Sequence, residues 1–234
     1  MRSLNKIVVI DVIKAVINFF TAVSLIVASL VATSLLATAA TAKQYSLQNI
    51  VIFGDSLSAA YGISQHEGWV ALLQQRLNKE NLSKKKLNYQ VINASISGET
   101  TSGGLSRFAD MLVTQKPSIV VLELGGNDGL RGLSAVETRN NLEAMIQQAK
   151  AKKIKVLLLG MKIPPNYGLK YSRQFSDNYQ NLAIKHNAKL VPFFLEGVAG
   201  KPDLILADGL HPNAAAQLKL LDNVWPTLLK MLKK

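Results

Sequence analysis

Cysteine is absent from the 234 residues. That excludes a disulfide framework, a thiolate-ligated zinc or iron–sulfur centre, and a cysteine nucleophile. It leaves the redox compartment open, because a domain of this size needs no disulfides. Histidine occurs only as His66, His186 and His211. With only three, a multi-histidine metal site is not expected, and no metal and no cofactor is expected. Acidic residues are also scarce: 15 Asp and Glu stand against 27 Lys and Arg, a formal charge of +12. The basic excess is dispersed over Lys84, Lys85 and Lys86, then Lys150, Lys152 and Lys153, then Lys230, Lys233 and Lys234. No aromatic residues interleave with it and no nucleic-acid-binding motif accompanies it, so nucleic acid is not an expected partner. Solvated faces explain such clusters. A weak affinity for an anionic membrane surface or polymer is the sharper alternative.

Apolar residues make up 48% and charged residues 18% of the chain, enough for a core and too apolar for a disordered protein. The first 42 residues differ from the rest. Arg2, Lys6 and Lys14 precede an uncharged run over residues 15–32, and small residues follow as far as Ala40-Thr41-Ala42. A basic start, an apolar middle and a small-x-small exit describe a secretory signal peptide cleaved after Ala42 or Ala39. Asp11 and the length of the run also fit an uncleaved amino-terminal anchor. Both readings place residues 43–234, a single domain, outside the cytoplasm, in the periplasm or secreted.

From Gln48 onward short apolar runs alternate with helical periodicity. Strands are expected at residues 50–53, 89–94, 119–124, 156–159 and 190–194. Helices are expected at residues 69–79, 135–152 (Ser134 as N-cap, Glu137 as its capping-box partner), 171–185 and 213–232, the last kinked at Pro226. Residues 78–88 are expected as a solvated loop. Continuous apolar strands separated by helices imply a buried parallel sheet covered on both faces. The expected fold is α/β, a three-layer α/β/α sandwich with a parallel sheet of about five strands. Ligands bind such sheets at the carboxyl ends of the strands.

Four polar or glycine-rich clusters fall at that rim. They are Gly54-Asp55-Ser56-Leu57-Ser58, Ser97-Gly98-Glu99-Thr100-Thr101, Gly125-Gly126-Asn127-Asp128, and Asp208-Gly209-Leu210-His211-Pro212. Each alone is ordinary turn chemistry. Together they supply what acyl transfer needs. A serine hydroxyl is a weak nucleophile until a base takes its proton. Histidine is the usual base, held in the right tautomer by a carboxylate. Asp208 stands three residues before His211 and can reach it within one loop, and Ser56 follows the first strand. An oxyanion needs donors already in place. The backbone N–H groups of Ser56 and Gly98 and the side-chain amide of Asn127 are the candidates. Other motifs fail: Gly200-Lys201 lacks the phosphate-loop spacing, and Ser56 is not within Gly-x-Ser-x-Gly.

These four blocks resemble those of the SGNH, or GDSL, hydrolases, whose letters Ser, Gly, Asn and His stand here as Ser56, Gly98, Asn127 and His211. The match runs from about Asn49 to the carboxyl terminus. Tyr61-Gly62, Gly68-Trp69 and Pro165-Asn166-Tyr167-Gly168 add to it, and they resemble the family's small bacterial periplasmic esterases. The resemblance implies a flavodoxin-like fold and a serine esterase, working through Ser56, His211 and Asp208 by way of an acyl-enzyme. It implies a small-molecule acyl ester or lipid as substrate: acyl thioesters, lysophospholipids or aryl esters. A monomer is expected. Tyr167, on the loop after the fourth strand, could line an acyl groove; an exposed surface tyrosine is the other reading. A polysaccharide O-deacetylase and a non-catalytic envelope binding protein on the same fold remain as alternatives.

Overall fold

The computed structural model describes residues 47–80 and 88–232, with residues 14, 16–19, 21 and 24 of the leader. The chain divides into two units, Met1–Ser46 and Leu47–Lys234. The described residues of the first unit are helical. No helix among the described residues is long and apolar enough to cross a membrane. The run over residues 15–32 and the cleavage points lie largely or wholly outside the described residues, as does most of the 78–88 loop.

The second unit is built on five strands: β1 Gln48–Gly54, β2 Tyr89–Asn93, β3 Pro117–Glu123, β4 Lys155–Leu159 and β5 Lys189–Val191. They pair in the order β2-β1-β3-β4-β5, and every pair is parallel. The central strands are wholly apolar because both faces are covered. Ile50 to Phe53 on β1 and Val120 to Leu122 on β3 are fully buried. Removing each such side chain from water contributes roughly 1.5–3 kcal/mol.

The helices are α1 Trp69–Glu80, α2 Thr101–Gln115, α3 Gly126–Leu130, α4 Ala135–Ala151, α5 Leu169–His186 and α6 Gln217–Leu229. Helices α2, α4 and α5 pack side by side, and α1 packs on α6, so two helical layers sandwich the sheet. Ser134 caps α4 by accepting the N–H of Glu137 at 3.3 Å. Helix α6 continues through Pro226.

Among the elements that depart from the sequence-based expectation are α2 and β5. The segment forming α2 carries Gly103 and Gly104 in its first turn and shows no strong helical pattern. Packing explains the helix: a Cβ at Gly104 would lie 2.5 Å from Leu124 Cδ1, so glycine lets α2 approach β3 closely. The last strand is shorter than expected because Pro192 cannot donate to a ladder. From β2 the chain crosses over β1 to build β3, then continues outward to β4 and β5. The direction of winding reverses between β1 and β3. The crevice at their carboxyl ends is where such folds bind ligands.

Candidate active site

Gly54 ends β1 where β3 comes closest. A Cβ there would stand 2.4 Å from Glu123 Oε2 and 2.9 Å from the Glu123 carbonyl oxygen. The chain then turns sharply. The N–H groups of Ser58 and Ala59 return to the Asp55 carbonyl at 3.2 and 2.9 Å, and Asp55 Oδ1 accepts the N–H of Leu57 at 3.0 Å. Ser56 sits on this turn, in the crevice at the carboxyl end of β1.

A second loop brings the histidine. An antiparallel bridge between Ile205 and Pro212 closes it, and the Leu206 N–H donates to the His211 carbonyl at 2.7 Å. Gly209 makes the reversal at φ +71°. Asp208 Oδ1 accepts the N–H groups of Leu210 and His211 at 2.9 and 3.0 Å. Its Oδ2 lies 2.7 Å from His211 Nδ1, and His211 Nε2 lies 2.8 Å from Ser56 Oγ. The two backbone N–H bonds, His211 first and then Leu210, followed by the imidazole, hold the Asp208 carboxyl down at about 2. A carboxylate at Nδ1 selects the tautomer that leaves Nε2 free to accept the serine proton. The Tyr61 ring lies 4.3 Å from the imidazole, centre to centre, and packs against it. Gln217 braces the loop from below: its Nε2 donates to the Pro212 and Asn213 carbonyls, and its Oε1 accepts the Trp69 N–H.

The backbone N–H groups of Ser56 and Gly98 have no acceptor among the described residues. Gly98 adopts φ +80°, and Arg131 Nη2 donates to its carbonyl at 3.1 Å. Asn127, in the one-turn helix α3, donates from Nδ2 to Asp55 Oδ2 and to the Glu99 carbonyl, each at 3.0 Å. Ser56, Gly98, Asn127 and His211 line one cleft of about 460 Å³. The rest of its wall is largely apolar, with Leu57, Met161, Ile163, Phe193, Leu195 and Ile205. Tyr167 is not on that wall. Its hydroxyl donates to the carbonyl of Leu130, which is, so the structure puts Tyr167 behind the lining rather than in it.

Sequence reasoning missed two buried carboxyls behind the serine. Burial pushes Asp55 up to about 6, against the pull of the Leu57 N–H, Asn127 and His211. Burial, with repulsion from Asp55, pushes Glu123 well above the ordinary range. Glu123 Oε2 accepts the Ser58 hydroxyl at 2.6 Å and the Asp55 N–H at 3.2 Å, while Oε1 is buried without a partner. Tyr61 was also missed as a site residue. Its one signal was the Tyr61-Gly62 pair among the residues that carry the family resemblance.

Known proteins match this arrangement. The model of the GDSL-like Lipase/Acylhydrolase family matches residues 52–218. Esterase TesA of Pseudomonas aeruginosa is 50% identical over 190 residues, 81% of this chain and 92% of its own. Thioesterase 1/protease 1/lysophospholipase L1 of Escherichia coli is 39% identical over 182 residues, 78% of this chain and 84% of its own. The crystal structure of the psychrotrophic esterase EstA from Pseudoalteromonas sp., inhibited by monoethylphosphonate, superposes with a TM-score of 0.73 at 41% identity, covering 79% of this chain and 98% of that one. With its parallel sheet, its four rim clusters and this extent of likeness, the chain belongs to the GDSL-like lipase/acylhydrolase family and is an ester-hydrolysing enzyme.

Proposed function

We propose that this chain hydrolyses carboxylic esters and thioesters through Ser56, His211 and Asp208 by way of an acyl-enzyme. The observation that carries the reading is the Asp208–His211–Ser56 relay, at 2.7 and 2.8 Å, opening into an apolar cleft. Ser56 Oγ attacks the carbonyl carbon while His211 Nε2 takes its proton. Asp208 holds the imidazolium. The N–H groups of Ser56 and Gly98, with the Asn127 amide, receive the oxyanion. Collapse expels the alcohol or thiol, which leaves with the proton from Nε2. Water then repeats the sequence on the acyl-serine, with His211 again as base, and the acid departs as Ser56 regains its proton.

The apolar wall fits acyl chains longer than acetyl, which favours acyl thioesters, lysophospholipids and aryl esters over O-acetyl polysaccharides. Similarity to an esterase inhibited by a phosphonate supports a serine nucleophile. The leader supports export, with residues 1–42 removed and the enzyme acting as a periplasmic or secreted monomer. The amino-terminal sequence of the exported protein checks the processing: Lys43 or Ala40 is expected, and Met1 on a membrane-held chain would make the leader an anchor.

Hydrolysis of p-nitrophenyl esters of rising chain length tests the chemistry. The native protein should turn over medium-chain esters better than the acetate and take a fluorophosphonate label. Ser56→Ala should lose both while keeping its circular dichroism spectrum. Retained labelling would move the nucleophile elsewhere, and turnover confined to acetates would favour the deacetylase.

A further inference from the structure

The edge of the sheet opposite the cleft has a different surface. In a parallel α/β fold the crossover helices end there, and each C-terminus carries a partial negative charge that cations complement. Two lysines serve that purpose. Lys150 Nζ donates to the His186 carbonyl at the end of α5, at 2.6 Å, and Lys155 Nζ donates to the Met231 carbonyl just beyond α6, at 2.5 Å. The others exceed it. Lys116, Lys152, Lys153, Lys189 and Lys230 are exposed on the same edge, and none has an ion-pair partner among the described residues. Glu80 closes α1 here, and Glu143 on α4 is taken by Lys185 and His186 at 2.6 and 2.7 Å. The connections over residues 81–88, 152–154, 187–188 and 230–234 contain no Asp or Glu. A cavity of about 290 Å³ opens between Lys150, Lys155, Lys189 and Lys230.

Apolar side chains stand among these cations. Val113 in the last turn of α2 is 58% exposed, Ile184 in the last turn of α5 is 70% exposed, and Leu47, where the chain enters β1, is 56% exposed. Cations interspersed with exposed aliphatic groups match a bilayer interface, which offers phosphates above and hydrocarbon below. No exposed aromatic residue accompanies them, so the stacking platform of a single-stranded nucleic-acid site is lacking among the described residues. The opposite edge carries the acids: Glu67, Glu99, Glu196, Asp203 and Asp208 lie on its loops. Arg131, Lys162 and Lys201 share those loops and Lys170 opens α5, so charges of both signs are mixed there and no cation excess faces outward.

We propose that the amino edge of the sheet is a docking surface for anionic phospholipid bilayers, which holds the enzyme with its cleft facing away from the lipid. The headgroup phosphates sit against Lys152, Lys153, Lys189 and Lys230, beside the cavity. The substrate then reaches Ser56 from the aqueous side.

Vesicle co-sedimentation of the full chain tests this, using phosphatidylcholine alone and phosphatidylcholine with about a third phosphatidylglycerol. Neutral vesicles measure what the apolar run of the leader contributes, and the leader's own cations are the same in every variant compared. The native protein should bind the anionic vesicles more tightly, and salt should remove the difference. Neutralising Lys152, Lys153, Lys189 and Lys230 together to Gln should lower the anionic increment roughly two to three orders of magnitude, at about fivefold per cation. Lys170→Gln with Lys201→Gln, at the other edge, should leave it unchanged. Turnover of a soluble butyrate ester should be the same in all three proteins, so this result stands apart from that of Ser56→Ala. Equal binding to both vesicle types, equal binding by the quadruple variant, or loss of its soluble activity would overturn the proposal. Release from vesicles by inorganic phosphate, at an ionic strength where chloride has no effect, would overturn it in favour of a free-phosphate site.

Discussion

Asn127 has two amide hydrogens, and both already have protein acceptors, the Asp55 carboxylate and the Glu99 carbonyl. An oxyanion at Ser56 has to share one of them. The bond to the Glu99 backbone carbonyl, an uncharged acceptor, is the weaker, and the charge-assisted bond to Asp55 is the one that fixes the amide plane. Asp55 thus acts as a positioning residue. Asp55→Asn keeps the shape but loses the charge and lets the Asn127 amide turn. We expect kcat to fall about tenfold with little change in KM, less than the roughly 10²–10³ expected for Asn127→Ala, which removes the donor itself. Because burial pushes Asp55 up to about 6, its protonation should contribute to the acid limb of the native rate profile. In Asp55→Asn the limb should become shallower. An unchanged slope and an unchanged kcat would leave Asp55 as turn chemistry only. At this scale the sequence was legible where partners are close along the chain or typed by chemistry, as with Asp208 and His211 three residues apart. It was opaque for Asp55 and Glu123, whose states depend on burial and on partners more than 60 residues distant.

The helices next to the site, α2 and the one-turn α3, are held by glycines, and this shows where element prediction fails. The segment Gly125-Gly126-Asn127-Asp128 looks like a turn, and it forms the entry to α3. The helix exists because Gly125 adopts φ +113° against Tyr179, whose buried hydroxyl donates to the Leu124 carbonyl at 2.9 Å. Helix α2 likewise depends on contact rather than on propensity, with Asp128 accepting the N–H and hydroxyl of Thr101 at its start. The long strands and α4 were legible because burial on both faces and an N-cap leave a local signature. Gly125→Ala would place a Cβ 2.2 Å from Tyr179 Oη. Relief breaks a buried hydrogen bond on top of the backbone strain, a cost of roughly 2–4 kcal/mol. A drop in Tm of about 5–10 °C is expected. Gly132→Ala is the control: its φ is +66° but no atom lies within 4 Å of the added Cβ, so only the strain remains. Equal losses at the two positions would show that the Tyr179 contact does not hold α3.

Across residues 47–232, the parallel sheet sorts chemistry by edge: helix N-termini and charges of both signs toward the cleft, crossover-helix C-termini and an excess of lysines away from it. The layered fold and strand order follow from patterns along the sequence. The internal charge balance does not, because it is set by depth. Glu123 and Asp55 are held above their ordinary values by burial, so the folded state keeps protons that the unfolded chain releases. For such groups stability is fullest below the unfolded value and declines as pH rises toward the folded one. For Asp55 that window runs from 3.8 to about 6, and for Glu123 it opens at 4.5 and extends further up. Asp208 works in the opposite direction: its contribution is present above 3.8 and is lost as pH falls toward about 2. Glu123→Gln is nearly isosteric and cannot ionise, so it removes one of the two declining contributions. Between pH 4.5 and 7 the Tm of the variant should fall less than that of the native protein. The difference in Tm, variant minus native, should therefore rise steadily with pH across that range in a thermal melt. A difference that stays constant with pH would mean that Glu123 has the same proton affinity in the folded and unfolded chains, and that its burial behind Ser56 carries no electrostatic cost.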